Sequence, residues 1–195
     1  MTTGQKELPS GWKWVKLGDV CNIKMGNSPR GDTYNTKGVG TPLLNGPTEF
    51  GDRNPTPIQW TTEPTRLCEN GDILLCVRGN TTGRMNWADQ TYCIGRGLAA
   101  ISPASNAVTN EYLFEALQSK MSVLLGQLSS GSVFPNISKN YLSEFTMPIP
   151  PSNIQEQFSS TISDLKEMKS LQTITRYDIE ELKSSLLQRA FRGEL

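Results

Sequence analysis

SNIQEQFSSTISDLKEMKSLQTITRYDIEELKSSLLQRAFRGEL, residues 152–195, decides how the rest of the chain is read. From Asn153 to Arg192 it contains neither proline nor glycine. Apolar residues recur at Phe158, Ile162, Leu165, Met168, Ile179, Leu182 and Leu186, with Gln172 and Thr175 in the two gaps. Steps of three and four alternate, close to the 3.5-residue repeat of a coiled-coil seam. A second, partial stripe of Leu171, Ile174, Leu187 and Ala190 widens the apolar face. Such a helix would run roughly 60 Å at 1.5 Å per residue. A single long core helix packed on its own domain is the bland reading, but a rod of that length outreaches a domain of ~150 residues. Part of it must then project, and its stripe wants a partner. A second copy of the chain is the expected one. The mixed charges, among them Glu156, Asp164, Lys166, Glu167, Lys169 and Arg176, belong to a solvated flank.

Most of the 17 glycines and 12 prolines fall before position 152, so the preceding region is expected to be loop-rich and to contain strands. The 195-residue length accommodates one ordinary domain with an appendage. Nineteen basic and nineteen acidic residues cancel, so any nucleic-acid footprint has to come from local clustering. No apolar run approaches a membrane span and the N-terminus has no signal-peptide pattern, so no membrane partner and a cytoplasmic location are expected. Cys21, Cys68, Cys76 and Cys93 form no CxxC pair and read as reduced, mostly buried residues. The chain has no histidine, which removes Ser-His-Asp and Cys-His nucleophiles and the commonest general base. A carboxylate–metal nuclease survives that objection.

Taken in order, residues 12–20 read as a strand running into a short helical turn, with Trp12, Trp14 and Leu17 inward. Residues 24–37 form a polar loop with three basic residues, and residues 41–47 a short apolar segment stopped by a turn. Asn70-Gly71 marks a tight turn. The continuous apolar run from Ile73 to Val77 is a strand buried on both faces. Residues 92–101 read as one further strand with a kink at Gly95-Arg96-Gly97. Residues 110–128 fit the helical period, capped by Thr109 or Asn110, and residues 129–140 read as a loop. An extended segment over 145–151 follows, and Ser152 or Asn153 caps the long helix.

Two apparent motifs lead nowhere. Asn54-Pro55-Thr56-Pro57 departs from the amino-methyltransferase pattern at its third and fourth residues, and Asn80-Thr81-Thr82-Gly83 lacks the rest of a phosphate loop. More persuasive are three polar loops that carry cations beside amides and hydroxyls. Lys24 and Arg30 lie in the first; Arg78, Asn80, Thr81 and Arg84 in the second; Ser132, Asn136 and Lys139 in the third; and Arg96 sits between glycines. Arginine, asparagine and glutamine suit base edges, while lysine, serine and threonine suit phosphates. These ten residues are the candidate DNA contacts. Ordinary loop structure is the alternative.

The order of the pieces carries a family resemblance. LPSGW (8–12) runs on to LGDV (17–20), then GDILLCVRG (71–79), CIGRGLAAI (93–101) and FPNIS (134–138). MPIPP (147–151) leads to Glu156-Gln157, and LKSSLLQRAFRGEL (182–195) closes the chain. Together they span nearly the whole chain, which resembles the DNA specificity subunit of type I restriction–modification systems. The resemblance implies an α+β fold. A mixed target-recognition domain with a loop-rich twisted sheet, residues 1–150, would precede one long coiled-coil-like helix, residues 151–195. It further implies a non-catalytic subunit with no cofactor of its own that reads one half of a bipartite double-stranded DNA target. Methyltransferase (modification) subunits would carry the adenine chemistry and S-adenosylmethionine, and a separate restriction/motor subunit would cleave. The family usually has two recognition domains and two helices; this chain has one of each. A homodimer through antiparallel helices would restore the full subunit. A fragment of a two-domain chain is the alternative. Leu182, Leu186, Leu187 and Phe191 serve either the helix pair or the methyltransferase. Scattered acidic residues disfavour the metal-dependent nuclease.

Overall fold

The computed structural model describes residues 7–128 and 136–194. They form an α+β chain that divides into two units, Met1–Gln155 and Glu156–Leu195. The strands of the first unit fall into three sheets.

The longest uninterrupted apolar runs make the centre of the first unit. β7 (Ile73–Cys76) and β10 (Leu98–Pro103) are the two inner strands of a four-stranded sheet flanked by β2 (Cys21–Met25) and β8 (Met85–Trp87). β7 and β10 pair antiparallel, Leu98 opposite Cys76 and Ile101 opposite Ile73. Ile73, Leu74, Leu75, Cys76 and Val77 are each 0 % exposed, as a run without alternation requires. β2, on the edge, alternates instead: Cys21 and Ile23 are buried, Asn22 and Lys24 exposed. The second sheet has the order β3 (Tyr34–Asn35), β5 (Gln59–Thr61), β4 (Thr41–Leu44), β9 (Tyr92–Ile94), β6 (Leu67–Cys68). Its β4–β9 pair is parallel and the rest are antiparallel. Leu44, Phe50, Cys68 and Ile94 from this sheet and its loops share one core with Leu74, Cys76, Leu98 and Ala100 of the other. Each such aliphatic side chain contributes on the order of 1.5–3 kcal/mol by leaving water.

The run over 92–101 is therefore two strands in two sheets. Gly95-Arg96-Gly97 is the joint between them. The fit is steric: a Cβ on Gly97 would stand 2.7 Å from the Asn45 backbone oxygen, and one on Gly95 3.2 Å from the Asn45 Cα, so glycines let the chain turn closely against the end of β4. Asn70-Gly71 likewise links strands of different sheets, β6 and β7, and closes no hairpin.

β1 (Lys13–Lys16) runs directly into α1 (Leu17–Val20) and pairs antiparallel with β11 (Thr146–Ile149), Lys13 opposite Ile149. The extended proline segment is thus a strand whose Met147 is fully buried. Leu17 is buried as expected, while Trp12, Trp14 and Trp60 are half-buried. α2 spans Asn110–Leu128; Tyr112 N donates to Thr109 Oγ1 (3.3 Å), making Thr109 the cap. Leu113, Leu117, Met121 and Leu124 point inward, and Phe114 stacks on Trp87 at 4.8 Å.

Lys139 and Asn140 are not loop. They open α3 (Lys139–Glu144), capped where Tyr141 N donates to Ser138 Oγ at 3.2 Å. The long helix, α4, spans Ser152–Phe191. Ser152 is its first residue, and the Pro151 carbonyl accepts from Ile154 N and Gln155 N. Gln155, 1 % exposed, anchors this start: its Oε1 accepts from Thr109 N (2.7 Å), and its Nε2 donates to Ala107 O and Pro150 O. At the other end Gly193 takes φ +68°, with Glu194 N donating to Arg189 O and Gly193 N to Ala190 O. That 6→1 and 5→2 pair is a Schellman stop. Among the described residues no helix is long and apolar enough to cross a membrane.

Candidate nucleic-acid interface

The joint between the two sheets gathers loops that are far apart in sequence. Val77, at the end of β7, donates its N–H to Gly97 O (2.8 Å), and its carbonyl accepts from Ile137 N (2.9 Å). Arg78 therefore emerges beside the segments carrying Arg96 and Asn136. Arg96 N donates to Ser28 Oγ (3.2 Å), Asn27 N to Ile94 O and Gly26 N to Leu98 O, which brings in the loop after β2. β4 ends at the same place: Gly95 N donates to Leu44 O, and a Cβ on Gly97 would lie 2.7 Å from Asn45 O. One rim thus collects the loops at 26–28, 45–46, 78–84, 95–97 and 136–137.

The β7–β8 connection is pinned along its length. Cys76 N donates to Arg84 O and Gly83 N to Cys76 O, while Thr82 Oγ1 donates to Gly79 O at 2.7 Å. Arg78, Asn80, Arg84, Arg96 and Asn136 are exposed. Thr81 is half-buried, its Oγ1 3.4 Å from Cys76 Sγ. Three guanidinium groups and two carboxamides on a fixed backbone offer bidentate donors for base edges and phosphates.

Three of the candidate residues lie elsewhere. Lys24, in β2, and Lys139, at the start of α3, meet at a separate recess of about 300 Å³, lined also by Gly18, Asn22 and Ser143. Cys21 lines it too, and burial pushes its thiol up to about 12, far from a reactive thiolate. Arg30 is exposed and holds Asp32 at 2.6 Å, so its charge is locally offset. Ser132 lies outside the described residues. All four cysteines are free and buried. Among the described residues no three Cys, Asp or Glu side chains are grouped as metal ligands.

Asn27 and Ser28 belong to the polar loop over 24–37, whereas Asn45 and Gln59, which the sequence did not single out, lie at the same rim. Asn45 Nδ2 donates to Gln59 Oε1 (3.2 Å) across the end of the second sheet. The Asn45-Gly46 pair directly after an apolar strand was the available signal, but its proximity to residues 95–97 depends on a parallel pairing that no local pattern announces.

In the second unit the seam residues differ in exposure. Phe158 and Ile162 are half-buried, whereas Leu165 (54 %), Met168 (65 %), Ile179, Leu182 and Leu186 are exposed.

Residues 9–181 match the family model described as the type I restriction modification DNA specificity domain. A Methanocaldococcus jannaschii chain named as the type I restriction enzyme MjaX specificity subunit is 32% identical over 97% of this chain and 44% of its own length. The MjaIX specificity subunit of the same organism is 27% identical over 85% of this chain and 41% of its own. The chain thus spans less than half the length of these relatives. Among solved structures, the HsdS subunit from Thermoanaerobacter tengcongensis superposes with a TM-score of 0.75 at 35% identity, over 97% of this chain and 47% of that one. A structure described as the basis of complex assembly and conformational transition of the type I R-M system gives 0.78 at 36% identity, covering 97% and 48%. The chain belongs to the family of type I restriction–modification DNA specificity subunits.

Proposed function

We propose that this chain is a non-catalytic DNA reader, in which the first unit grips one half of a bipartite double-stranded target. The observation that carries the reading is the rim. Arg78, Arg84 and Arg96, with Asn80 and Asn136, stand exposed on loops that two sheets hold together, in a chain matching the specificity family over residues 9–181. Base edges are read by side chains of these types, and phosphates by the cations around them. Lys24 and Lys139, clear of the rim, suit backbone contacts that set register. Methyltransferase subunits would supply adenine methylation and a restriction/motor subunit cleavage, in the cytoplasm.

The exposed stripe of α4 supports pairing of two copies. An antiparallel, two-fold pair would present two rims at a fixed separation, and such a reader selects an inverted repeat with a nonspecific spacer. The length of the relatives favours a second reading, in which the other recognition region belongs to a longer chain. Selection from a randomised duplex pool by the purified full chain tests the proposal. An enriched motif is expected, repeated in inverted orientation if the copies pair. Recovery of the pool unchanged would overturn it. Incubation of plasmid with the protein and a divalent metal is expected to give no cleavage; nicking would favour the nuclease.

A further inference from the structure

The rim holds one polar pair whose chemistry its arginines do not supply. Asn45 follows β4 and Gln59 opens β5, and the β4–β5 register, Leu43 opposite Gln59, sets both at one sheet end. Both side chains are half-buried, and Asn45 Nδ2 donates to Gln59 Oε1 at 3.2 Å. Asn45 packs closely on the joint: a Cβ on Gly95 would come within 2.6 Å of its Oδ1, and one on Gly97 within 2.7 Å of its carbonyl oxygen. A bond between two neutral amides at a half-exposed site adds little stability, and two aliphatic side chains would close the sheet end as well. What the amides add is a fixed pattern. Their mutual bond leaves Asn45 Oδ1 as an acceptor and Gln59 Nε2 as a donor. Adenine presents the complement in the major groove, an N6 donor beside an N7 acceptor.

We infer that Asn45 and Gln59 act as one reading element for an adenine in the half-site, beside the Arg96 and Arg78 contacts. The inference rests on the reading of the rim as the DNA-contacting surface. The test runs the duplex selection on the full-length wild type, Gln59→Leu and Asn45→Ala, with affinity for a fixed nonspecific duplex measured alongside. Both variants are expected to lose adenine preference at the same half-site position, by roughly 5- to 150-fold. The other positions and the nonspecific affinity should hold. Gln59→Leu keeps the side-chain volume, so it decides the matter if Asn45→Ala does not fold. A wild-type motif that Gln59→Leu reproduces at every position would overturn the inference while leaving the proposed function intact. Relaxation at a guanine position alone would also overturn it. A wild type that enriches no motif would remove the rim reading and the inference together.

Discussion

The two units contain the same apolar side chains in opposite circumstances. In β7 and β10, Ile73, Leu74, Leu75 and Leu98 are sealed from water by other residues of the same chain. Along α4, Leu165, Met168, Ile179 and Leu182 leave more than half of their surface in solvent. The first set completes its burial within residues 7–155. The second is regular and apolar, yet it has nothing from its own unit to cover it. A sheet core is its own destination; a long amphipathic helix is half of an interface.

This contrast can be broken by experiment. The largest expected effect is Leu74→Ala, which should destabilise the first unit by about 2–5 kcal/mol in urea unfolding, since the site is fully enclosed. Leu165→Ala should leave that transition within about 0.5 kcal/mol. Equal losses would show that the helix stripe belongs to the domain core. A smaller effect sharpens the division within the first unit. Lys139→Ala should weaken binding across all duplexes and reduce the slope of log affinity against log salt by about one, if Lys139 touches a phosphate. An altered sequence preference with an unchanged slope would contradict that role.

A further contrast between the two units is alkaline. Burial holds the Cys21 and Cys68 thiols up to about 12 from an ordinary 9.0, and Tyr112 up to about 12 from 10.0. The unfolded chain ionises first, so this stability is complete below pH 9 and falls as pH rises toward 12. Residues 156–194 contain no cysteine and one tyrosine, the exposed Tyr177. Urea unfolding of the first unit should therefore weaken over that range, and a midpoint that stays constant to pH 11 would contradict the burial.

The elements with strong local signals were legible. The 3.6-residue period gave α2 its bounds, the unbroken apolar run marked β7, and the absence of helix breakers marked α4. Three features were not. Residues 92–101 look like one kinked strand because both halves are equally apolar; that they enter different sheets follows from the parallel pairing of β9 with β4. α3 hid in a polar stretch, although Ser138 ahead of Lys139-Asn140-Tyr141 is an N-cap in form. At the site, Arg78, Arg96 and Asn136 could be named from composition, but their convergence depends on two backbone hydrogen bonds at Val77. Asn45 had only the turn signal of Asn45-Gly46, and Gln59 had none. Lys24 and Lys139, 115 positions apart, share a recess because α3 lies against β2.

Pairing of two copies through α4 is a proposal that the mass in solution can decide. Light scattering at micromolar concentration should give twice the chain mass for the wild type and a single chain for the Leu165→Glu, Leu182→Glu double variant. Carboxylates in place of the four leucines that the pair would cover should weaken it by roughly a hundredfold or more. A monomeric wild type, or a dimer that survives both substitutions, would contradict the account.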